Sequence, residues 1–350
     1  MARSLRGIYA ATFAVSVAAS LALASSTVMA GPYSSMIVFG DSLSDSGNNA
    51  IVVDSGALAA FGIPAGARTL TPISSPAFIP SAPYASNRYS NGPVWVETVA
   101  GVLGVPLAPS LAGGTNWAFG GATTGPASAS LTNPFPASLA TQTNFYLGST
   151  GGVASASALY VIAGGGNDAR AVLTGSITPA NAITAYVTNT ITILSQLYSA
   201  GARTFLLVNT PDVGKTPALQ LADLFSPGAA AGASGLVGLM NANLNGALGL
   251  LPADLRNRIR YLDADALIDN MFASPGAFGI ADATSACAFA CPAGASNTFF
   301  WDGIHPTAAG HLVIANAALR LVPEPGVIAL FAVMLGALMF TRRRTMIKTK

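Results

Sequence analysis

Short apolar runs alternate with helical patterns along most of the chain, and this alternation restricts the fold more than any other feature. The predicted strands are residues 36–39, 116–119, 159–163, 204–209 and 260–262. Each run is short and mostly apolar, which is typical of strands buried on both faces of a parallel sheet. The predicted helices are residues 93–103, 179–200, 236–250 and 306–321. We therefore predict an α/β fold with a mainly parallel central sheet and a site at the carboxyl ends of its strands.

One domain, residues 31–321, accounts for all of these elements. Two stretches interrupt the alternation: residues 50–91 are rich in Pro, Ser and Ala, and residues 123–152 are rich in Ser, Thr, Gly and Pro. Loops of this length in a compact domain are often functional or mobile. We predict both stretches to be surface loops beside the site.

The charges are divided unevenly between the ends and the body of the chain. The formal net charge of the 350 residues is +2, but seven of the 16 basic side chains lie at the two extreme termini. The other nine basic side chains and all 14 acidic side chains lie between the termini, so the body carries a formal charge of −5. A body without a basic, aromatic-rich surface lacks the electrostatic basis for nucleic-acid binding, and we exclude nucleic acid as a partner.

The N-terminus has the pattern of a secretory signal. Arg3 and Arg6 precede an apolar stretch at residues 8–23, and small or aliphatic residues follow up to Ala30. This order predicts a signal peptide at residues 1–30 that signal peptidase removes after Ala30. The alternative is an uncleaved anchor helix, although the apolar stretch is short.

The two cysteines would then reach an oxidising compartment. Cys287 and Cys291 are four residues apart, so a small local disulfide depends on the geometry of the intervening turn. A metal site built on this pair lacks further ligands nearby, and we predict no bound metal.

The C-terminus resembles a sorting signal. Residues 322–326 read VPEPG, an uncharged apolar run follows at residues 327–340, and the cluster RRR occupies 342–344. The apolar run is shorter than the roughly 20 residues that span a bilayer comfortably, and the arginines would hold the tail on the cytoplasmic side. This order resembles the PEP-CTERM signal of Gram-negative bacteria, which implies secretion across the inner membrane, a transient transmembrane helix in residues 322–350 and processing by an exosortase. A permanent tail anchor is the alternative.

Only two histidines are present, which narrows any base-assisted mechanism to few candidates. His305 lies in the stretch WDGIHPT at residues 301–307. A turn that separates Asp302 from His305 by three residues lets the carboxylate bond one ring nitrogen while the other faces a nucleophile. On its own the pair also fits a structural cap or a surface histidine. We predict that His311, inside the following helix, is a packing residue.

A candidate nucleophile follows the first predicted strand. Residues 40–49 read GDSLSDSGNN, which places Ser42 just beyond a buried strand. The serine of such a turn can equally cap a helix. The Gly-x-Ser-x-Gly elbow of α/β-hydrolases is absent, and an EF-hand reading fails because Leu43 occupies a ligand position.

Two glycine-containing turns could supply donors for a developing oxyanion. Residues 116–122 read NWAFGGA, and residues 164–168 read GGGND after the next strand. Backbone amides of glycines or the side-chain amide of Asn167 can point into a site there. Each turn taken alone also fits a tight turn that simply requires glycine.

Together, these four turns resemble the SGNH or GDSL family of serine esterases and lipases over most of residues 36–321. The stretch NRYSNGPVWV at 87–96 is also similar to the family's secreted lipases. The resemblance implies a three-layer α/β/α, flavodoxin-like fold. It also implies that Ser42 is the nucleophile, that Asp302 and His305 complete a catalytic triad, and that the oxyanion hole consists of Ser42, Gly121 and Asn167. If the motif is aligned one residue earlier, Gly120 takes the place of Gly121 in the oxyanion hole.

The function that we predict is a secreted serine hydrolase that cleaves carboxylic esters through an acyl-enzyme, without a metal or organic cofactor. Its substrate partner would be a lipid, a short-chain ester or an acetylated glycan. Two alternatives stay open. One is a polysaccharide O-acetyl esterase acting on exopolysaccharide, and the other is a surface protein that binds glycan without catalysis.

Overall fold

The computed structural model describes residues 33–57, 59, 65–66, 68–69, 79–80, 87–125, 135–288, 291 and 294–322. The strands are β1 Met36–Gly40, β2 Arg68–Thr69, β3 Ile79–Pro80, β4 Leu159–Ala163, β5 Thr204–Val208, β6 Ile259–Leu262, β7 Asp282–Ala286 and β8 Thr298–Phe300. The α-helices are α1 Asn48–Asp54, α2 Trp95–Leu103, α3 Leu139–Ser149, α4 Gly166–Leu173, α5 Pro179–Ala200, α6 Pro217–Phe225, α7 Ala229–Gly249, α8 Ala253–Arg256, α9 Ala264–Ala273 and α10 Ala308–Leu321. Short 3₁₀ helices occupy Ser110–Ala112, Val213–Lys215 and Pro275–Phe278.

A parallel sheet with the strand order β1-β4-β5-β6 forms the centre of the fold. Side chains alternate between its two faces, as the pleat requires. Phe39 and Ile162 belong to a core that also contains residues of α3, α5 and α7. Val38 and Val161 belong to a second core with residues of α2 and α10. The sheet therefore lies between two helical layers, which confirms the predicted three-layer α/β fold.

The predicted strand at residues 116–119 is wrong as a regular strand. Asn116 makes only isolated parallel bridges, to Val38 and Pro109, although the N–H of Trp117 donates to the carbonyl of Val38 at 2.8 Å. The N–H of Phe119 also donates to the carbonyl of Gly40 at 3.1 Å, so the segment follows the edge of β1. Turns bound it on both sides, since the N–H of Asn116 donates to the carbonyl of Ala108 at 2.9 Å and that of Ala122 to the carbonyl of Phe119 at 3.1 Å, and they leave too few residues for a regular strand. The other four predicted strands agree with β1, β4, β5 and β6 to within one residue at each end.

The predicted loop at residues 123–152 is also partly wrong, because it contains α3. This helix begins at the cap Ser138, which accepts the N–H of Thr141 at 3.3 Å. Its sequence, LATQTNFYLGS, is rich in polar residues and hides the helical periodicity. Among the predicted helices, 179–200 is confirmed residue for residue. The other three start elsewhere, at Trp95, Ala229 and Ala308; the last starts later because Thr307 is its cap.

The predictions for the N-terminus and the C-terminus concern residues that the structure does not describe. The signal peptide at 1–30 and, apart from Val322, the sorting signal at 322–350 lie outside the described residues, as do most of 58–86. No helix in the described part of the chain is long and apolar enough to cross a membrane.

Candidate active site

The turn that carries Ser42 is fixed to the end of β1 by hydrogen bonds from α3 and by bonds within the turn itself. Gln142 of α3 accepts the N–H of Gly40 and donates to its carbonyl, both at 2.9 Å. The buried carboxylate of Asp45 accepts the N–H groups of Gly47 and Asn48 at 2.7 Å each. Buried polar groups that are fully bonded in this way hold one conformation, so the half-buried Ser42 has a well-defined position.

Ser42, His305 and Asp302 lie together in one hydrogen-bonded series. The Ser42 Oγ is 3.0 Å from His305 Nε2, and His305 Nδ1 is 2.7 Å from Asp302 Oδ2. The second carboxylate oxygen, Oδ1, accepts the N–H groups of Ile304 and His305 at 2.7 Å each. Since an ionised carboxylate only accepts, Nδ1 is the protonated nitrogen and Nε2 is left as the acceptor for the serine hydroxyl.

Both members of the Asp302–His305 pair are almost fully buried, with 1% and 3% of their surfaces exposed. Burial acts to raise the pKa of Asp302, but the charge of His305 and the hydrogen bonds from His305 and Ile304 act in the opposite direction and prevail. The pKa of Asp302 therefore lies below its ordinary value. This carboxylate stays ionised and able to stabilise an imidazolium on His305.

A second carboxyl group lies beside the serine. Asp41 is buried, and burial raises its pKa to about 6, against the opposing effects of the Leu43 N–H and the charge of His305. Its Oδ1 accepts the N–H of Leu43 at 3.0 Å. Asp41 therefore stabilises the turn around Ser42 as well as lining the site.

Gly120 and Gly121, the two candidates for the glycine donor, differ in the bonding of their backbone N–H groups. The N–H of Gly120 donates to Asp45 Oδ2 at 2.9 Å, and a Cβ at Gly120 would collide with the ring of Tyr89. Gly120 therefore has a packing role, and its N–H is already hydrogen-bonded to Asp45. Within the described residues, the N–H groups of Ser42 and Gly121 donate to no other group.

Asn167 reaches the same region from the first turn of α4. Its Nδ2 donates to the carbonyl of Ala122 at 2.9 Å, which leaves one of its two amide hydrogens for another acceptor. The helix is capped by Gly165, whose φ is 118°. A Cβ there would strike Thr210 and Tyr186, so the sequence needs glycine to bring Asn167 to this place.

An apolar cavity of about 500 Å³ opens from these residues. Asp41, Ser42, Asn167 and His305 lie at its polar part, and Trp95 of α2 is also part of the lining. Gly121 is not among the lining residues. The described residues contain no group of three or more His, Cys, Asp or Glu side chains placed to hold a metal ion.

Three supporting residues were not anticipated from the sequence. Asp45 lies in the quoted GDSLSDSGNN motif, but nothing in the motif reveals that it bonds Gly120 from another segment. Gln142 lies in a stretch predicted as loop. The Tyr89 ring packs 5.2 Å from the His305 ring, centre to centre. No local pattern distinguishes these residues, because their partners are distant in sequence.

His311 is fully buried, as expected for a packing residue. The N–H of Trp95 donates to its Nδ1 at 3.3 Å, and an acceptor nitrogen must be unprotonated. Burial, and secondarily the charge of His305, lowers the pKa of His311 to about 3. The folded state therefore holds this imidazole neutral over a range in which an unfolded histidine is protonated.

We expect His311→Gln to reduce the loss of stability in mild acid. A histidine whose pKa falls from 6.5 on folding supports the fold fully above pH 6.5, and this contribution declines as pH falls towards 3. Between pH 7 and pH 5 the native protein should lose about 2 kcal/mol more of its free energy of unfolding than the variant does. Urea unfolding of both proteins at the two pH values measures this difference. An identical loss in both would show that His311 takes up a proton in the folded state.

The two cysteines form a disulfide. Cys287 is buried against Trp301, and the N–H of Ala288 donates to the carbonyl of Trp301 at 2.6 Å. The disulfide therefore packs on the residue that immediately precedes Asp302.

Comparisons with known proteins identify a family for most of the chain. Residues 36–318 match the family described as GDSL-like Lipase/Acylhydrolase. The chain is 31% identical over 339 residues to the "Uncharacterized protein in trpE-trpG intergenic region" of Pseudomonas putida, with 88% of this chain and 52% of that protein covered. It is 31% identical over 201 residues to "Lipase 1" of Photorhabdus luminescens, with 57% and 26% covered. The chain thus spans about half the length, or less, of these relatives.

Among solved structures, the acetylxylan esterase Axe2 of Geobacillus stearothermophilus is similar to the chain at 14% sequence identity. The alignment covers 83% of this chain and 95% of that one, with a TM-score of 0.39. A catalytic mutant of the same esterase aligns at 13% identity with a TM-score of 0.42.

Proposed function

The chain belongs to the GDSL-like lipase/acylhydrolase family, and from this premise we propose that it hydrolyses carboxylic esters with Ser42 as the nucleophile. One observation carries the proposal: Ser42 Oγ, His305 and Asp302 form a continuous series of hydrogen bonds of 3.0 Å and 2.7 Å. An isolated serine hydroxyl is a weak nucleophile at neutral pH, and a histidine held in the correct tautomer activates it.

In this mechanism Ser42 Oγ attacks the ester carbonyl carbon while its proton passes to His305 Nε2. The tetrahedral intermediate then expels the alcohol, which takes the proton from His305, and an acyl-serine remains. Water attacks the acyl-serine with His305 again as the base, and the acid and free Ser42 are released. Asp302 keeps the His305 tautomer and stabilises the imidazolium; positioned proton transfer of this kind contributes about 10²-fold to 10⁴-fold.

The N–H groups of Ser42 and Gly121 and the side chain of Asn167 would hold the oxyanion of each tetrahedral intermediate. Such donors favour the transition state more than the neutral ester, because the charge develops on the carbonyl oxygen only as the bond forms. The start of α4 at Gly166 adds the positive end of a helix dipole on the same side.

We expect Asn167→Ala to lower kcat for p-nitrophenyl butyrate by about 10²-fold to 10³-fold, the usual cost of one oxyanion donor. KM should change little, because the interaction strengthens only in the transition state. Asn181→Ala is the matched control, since Asn181 is an exposed asparagine in the first turn of α5. Equal activity of the Asn167 variant and the control would remove Asn167 from the oxyanion hole.

A fluorophosphonate probe tests the function directly on the full chain. The probe phosphonylates an activated serine, so mass spectrometry of digested protein should place the label on Ser42, and labelled protein should no longer hydrolyse p-nitrophenyl acetate or butyrate. Absence of both labelling and hydrolysis would favour the alternative of a protein that binds glycan without catalysis.

We also propose that the protein is secreted across the inner membrane and sorted by its C-terminal signal. The order of basic, apolar and small residues at 1–30 supports export. The disulfide between Cys287 and Cys291 is of the kind that persists in oxidising compartments. Intact-mass measurement of the protein from a periplasmic or surface fraction tests this, because retention of residues 1–30 would contradict it.

A further inference from the structure

The cavity beside Ser42 extends much further than an acetyl group needs. Asn167, Arg170 and Leu173 of α4 all line it, so the cavity follows one face of this helix from the polar end outwards. Leu173 lies six positions after Asn167, which corresponds to about 9 Å at 1.5 Å per residue. Leu173 is 42% exposed, so this end reaches the protein surface.

Another part of the wall is provided by α6, a helix with an unusual pattern of burial. Ala218, Leu219 and Ala222 line the cavity, and their spacing places them on one face of the helix. They face inwards, yet no residue of α6 is buried. Their apolar side chains are incompletely covered because the cavity, rather than another element, lies against them.

The remainder of the lining is largely apolar. It includes Leu267 and Ile268 of α9 and Phe299 and Phe300 of β8. The buried carboxylate of Asp212 also belongs to the lining, but it accepts Ser234 Oγ at 2.7 Å and the N–H of Gly214 at 2.9 Å. Half-buried Arg170 also lines the cavity, and its aliphatic stem adds to the apolar surface.

We propose that this cavity binds the acyl chain of a medium-chain fatty ester, with α4 and α6 each forming part of its wall. The inference rests on the proposed function, since the chain must lie next to Ser42 to be cleaved. With C–C bonds of about 1.5 Å, an extended chain advances roughly 1.3 Å per carbon, so the 9 Å face of α4 accommodates about seven or eight carbons. An acetyl group would leave most of these walls uncovered.

Acyl-chain dependence of hydrolysis tests the proposal on the full chain. For p-nitrophenyl acetate, butyrate, hexanoate, octanoate and decanoate, kcat/KM should rise by roughly twofold or more per methylene up to octanoate, because each buried CH₂ strengthens binding. From octanoate to decanoate it should change little, since additional carbons pass Leu173 into solvent. A maximum at acetate would overturn the proposal.

Filling the cavity gives a second test. Ala222→Phe should lower the ratio of kcat/KM for octanoate to that for acetate by about tenfold, the equivalent of a few methylenes. Ala242→Phe is the matched control, because Ala242 is exposed on α7 and does not line the cavity. Leu219→Trp provides an independent variant in case Ala222→Phe does not fold. An unchanged ratio in a folded cavity variant would overturn the proposal.

The two proposals fail in different ways. Labelling of Ser42 with hydrolysis of acetate but no preference for longer chains would reject the acyl cavity and leave the esterase function intact. A lack of labelling and of hydrolysis for every ester would reject the esterase function, and with it the role assigned to the cavity.

Discussion

Replacing Ser42 with alanine is expected to lower kcat for p-nitrophenyl butyrate by about 10⁴-fold to 10⁶-fold, the range found when a triad nucleophile is removed. The variant retains the donors proposed for the oxyanion hole, so some catalysis above the rate in water should remain. Because Ser42 is only half-buried and its hydroxyl bonds no side chain but His305 within the described part of the protein, the fold should lose little stability. Steady-state kinetics together with a thermal melt measures both effects.

Ser44→Ala is the appropriate control for this substitution. Ser44 lies in the same turn and is fully buried, and its Oγ accepts Trp95 Nε1 at 3.2 Å rather than contacting His305. Its removal should cost stability, because a buried donor loses its partner, yet most of the turnover should remain. If both variants lose activity equally, the effect comes from the turn and not from a nucleophile.

The regular parts of the sheet could be predicted because their sequence carries the physical cause of their structure. Strands buried on both faces must be apolar at every position, and the runs at 36–39 and 159–163 satisfy this condition. The segment at 116–119 is also apolar at three positions and bonds to the edge of β1, but turns close on both sides of it and keep it from becoming a regular strand. These turns depend on backbone contacts that hydropathy does not show.

The candidate site also contains some features that could be predicted from the sequence and others that could not. Ser42, Asp302 and His305 fall in short motifs whose spacing reflects local turn geometry, so they could be proposed from the sequence. The resemblance favours Gly121 over Gly120 for the glycine donor, but the sequence does not reveal that the N–H of Gly120 is bonded to Asp45, 75 positions away. The hydrogen bonds between Gln142 and Gly40 join residues 102 positions apart, so they also depend on the tertiary fold.

The proposed medium-chain preference is also among the features that could not be predicted from the sequence. Cavity residues come from α4, α6, α9 and β8, and each of them reads as an ordinary core residue in the sequence. Only their position around the cavity in the folded protein distinguishes them. The proposed substrate preference therefore depends on the space enclosed between helices and strands, whereas the proposed chemistry depends on residues in a few turns.

Asp302→Asn is expected to lower kcat by about 10³-fold to 10⁴-fold. The asparagine Oδ1 can still accept the N–H groups of Ile304 and His305, so the turn should persist. Its Nδ2, however, would donate to His305 Nδ1, which moves the ring proton to Nε2. In that tautomer Nε2 donates to Ser42 Oγ and cannot take the serine proton. KM should change much less than kcat, and the rate of fluorophosphonate labelling should fall in parallel with kcat.

Asp282→Asn separates this effect from the loss of a structural carboxylate. Asp282 Oδ1 accepts the N–H groups two and three residues further along, Thr284 at 2.9 Å and Ser285 at 3.0 Å. Asp302 Oδ1 does the same with Ile304 and His305, but Asp282 touches no histidine. Turnover of Asp282→Asn should stay close to that of the native protein. Because the two substitutions remove the same charge from the same kind of turn, a comparable loss in both would assign Asp302 to turn stability rather than to orienting His305.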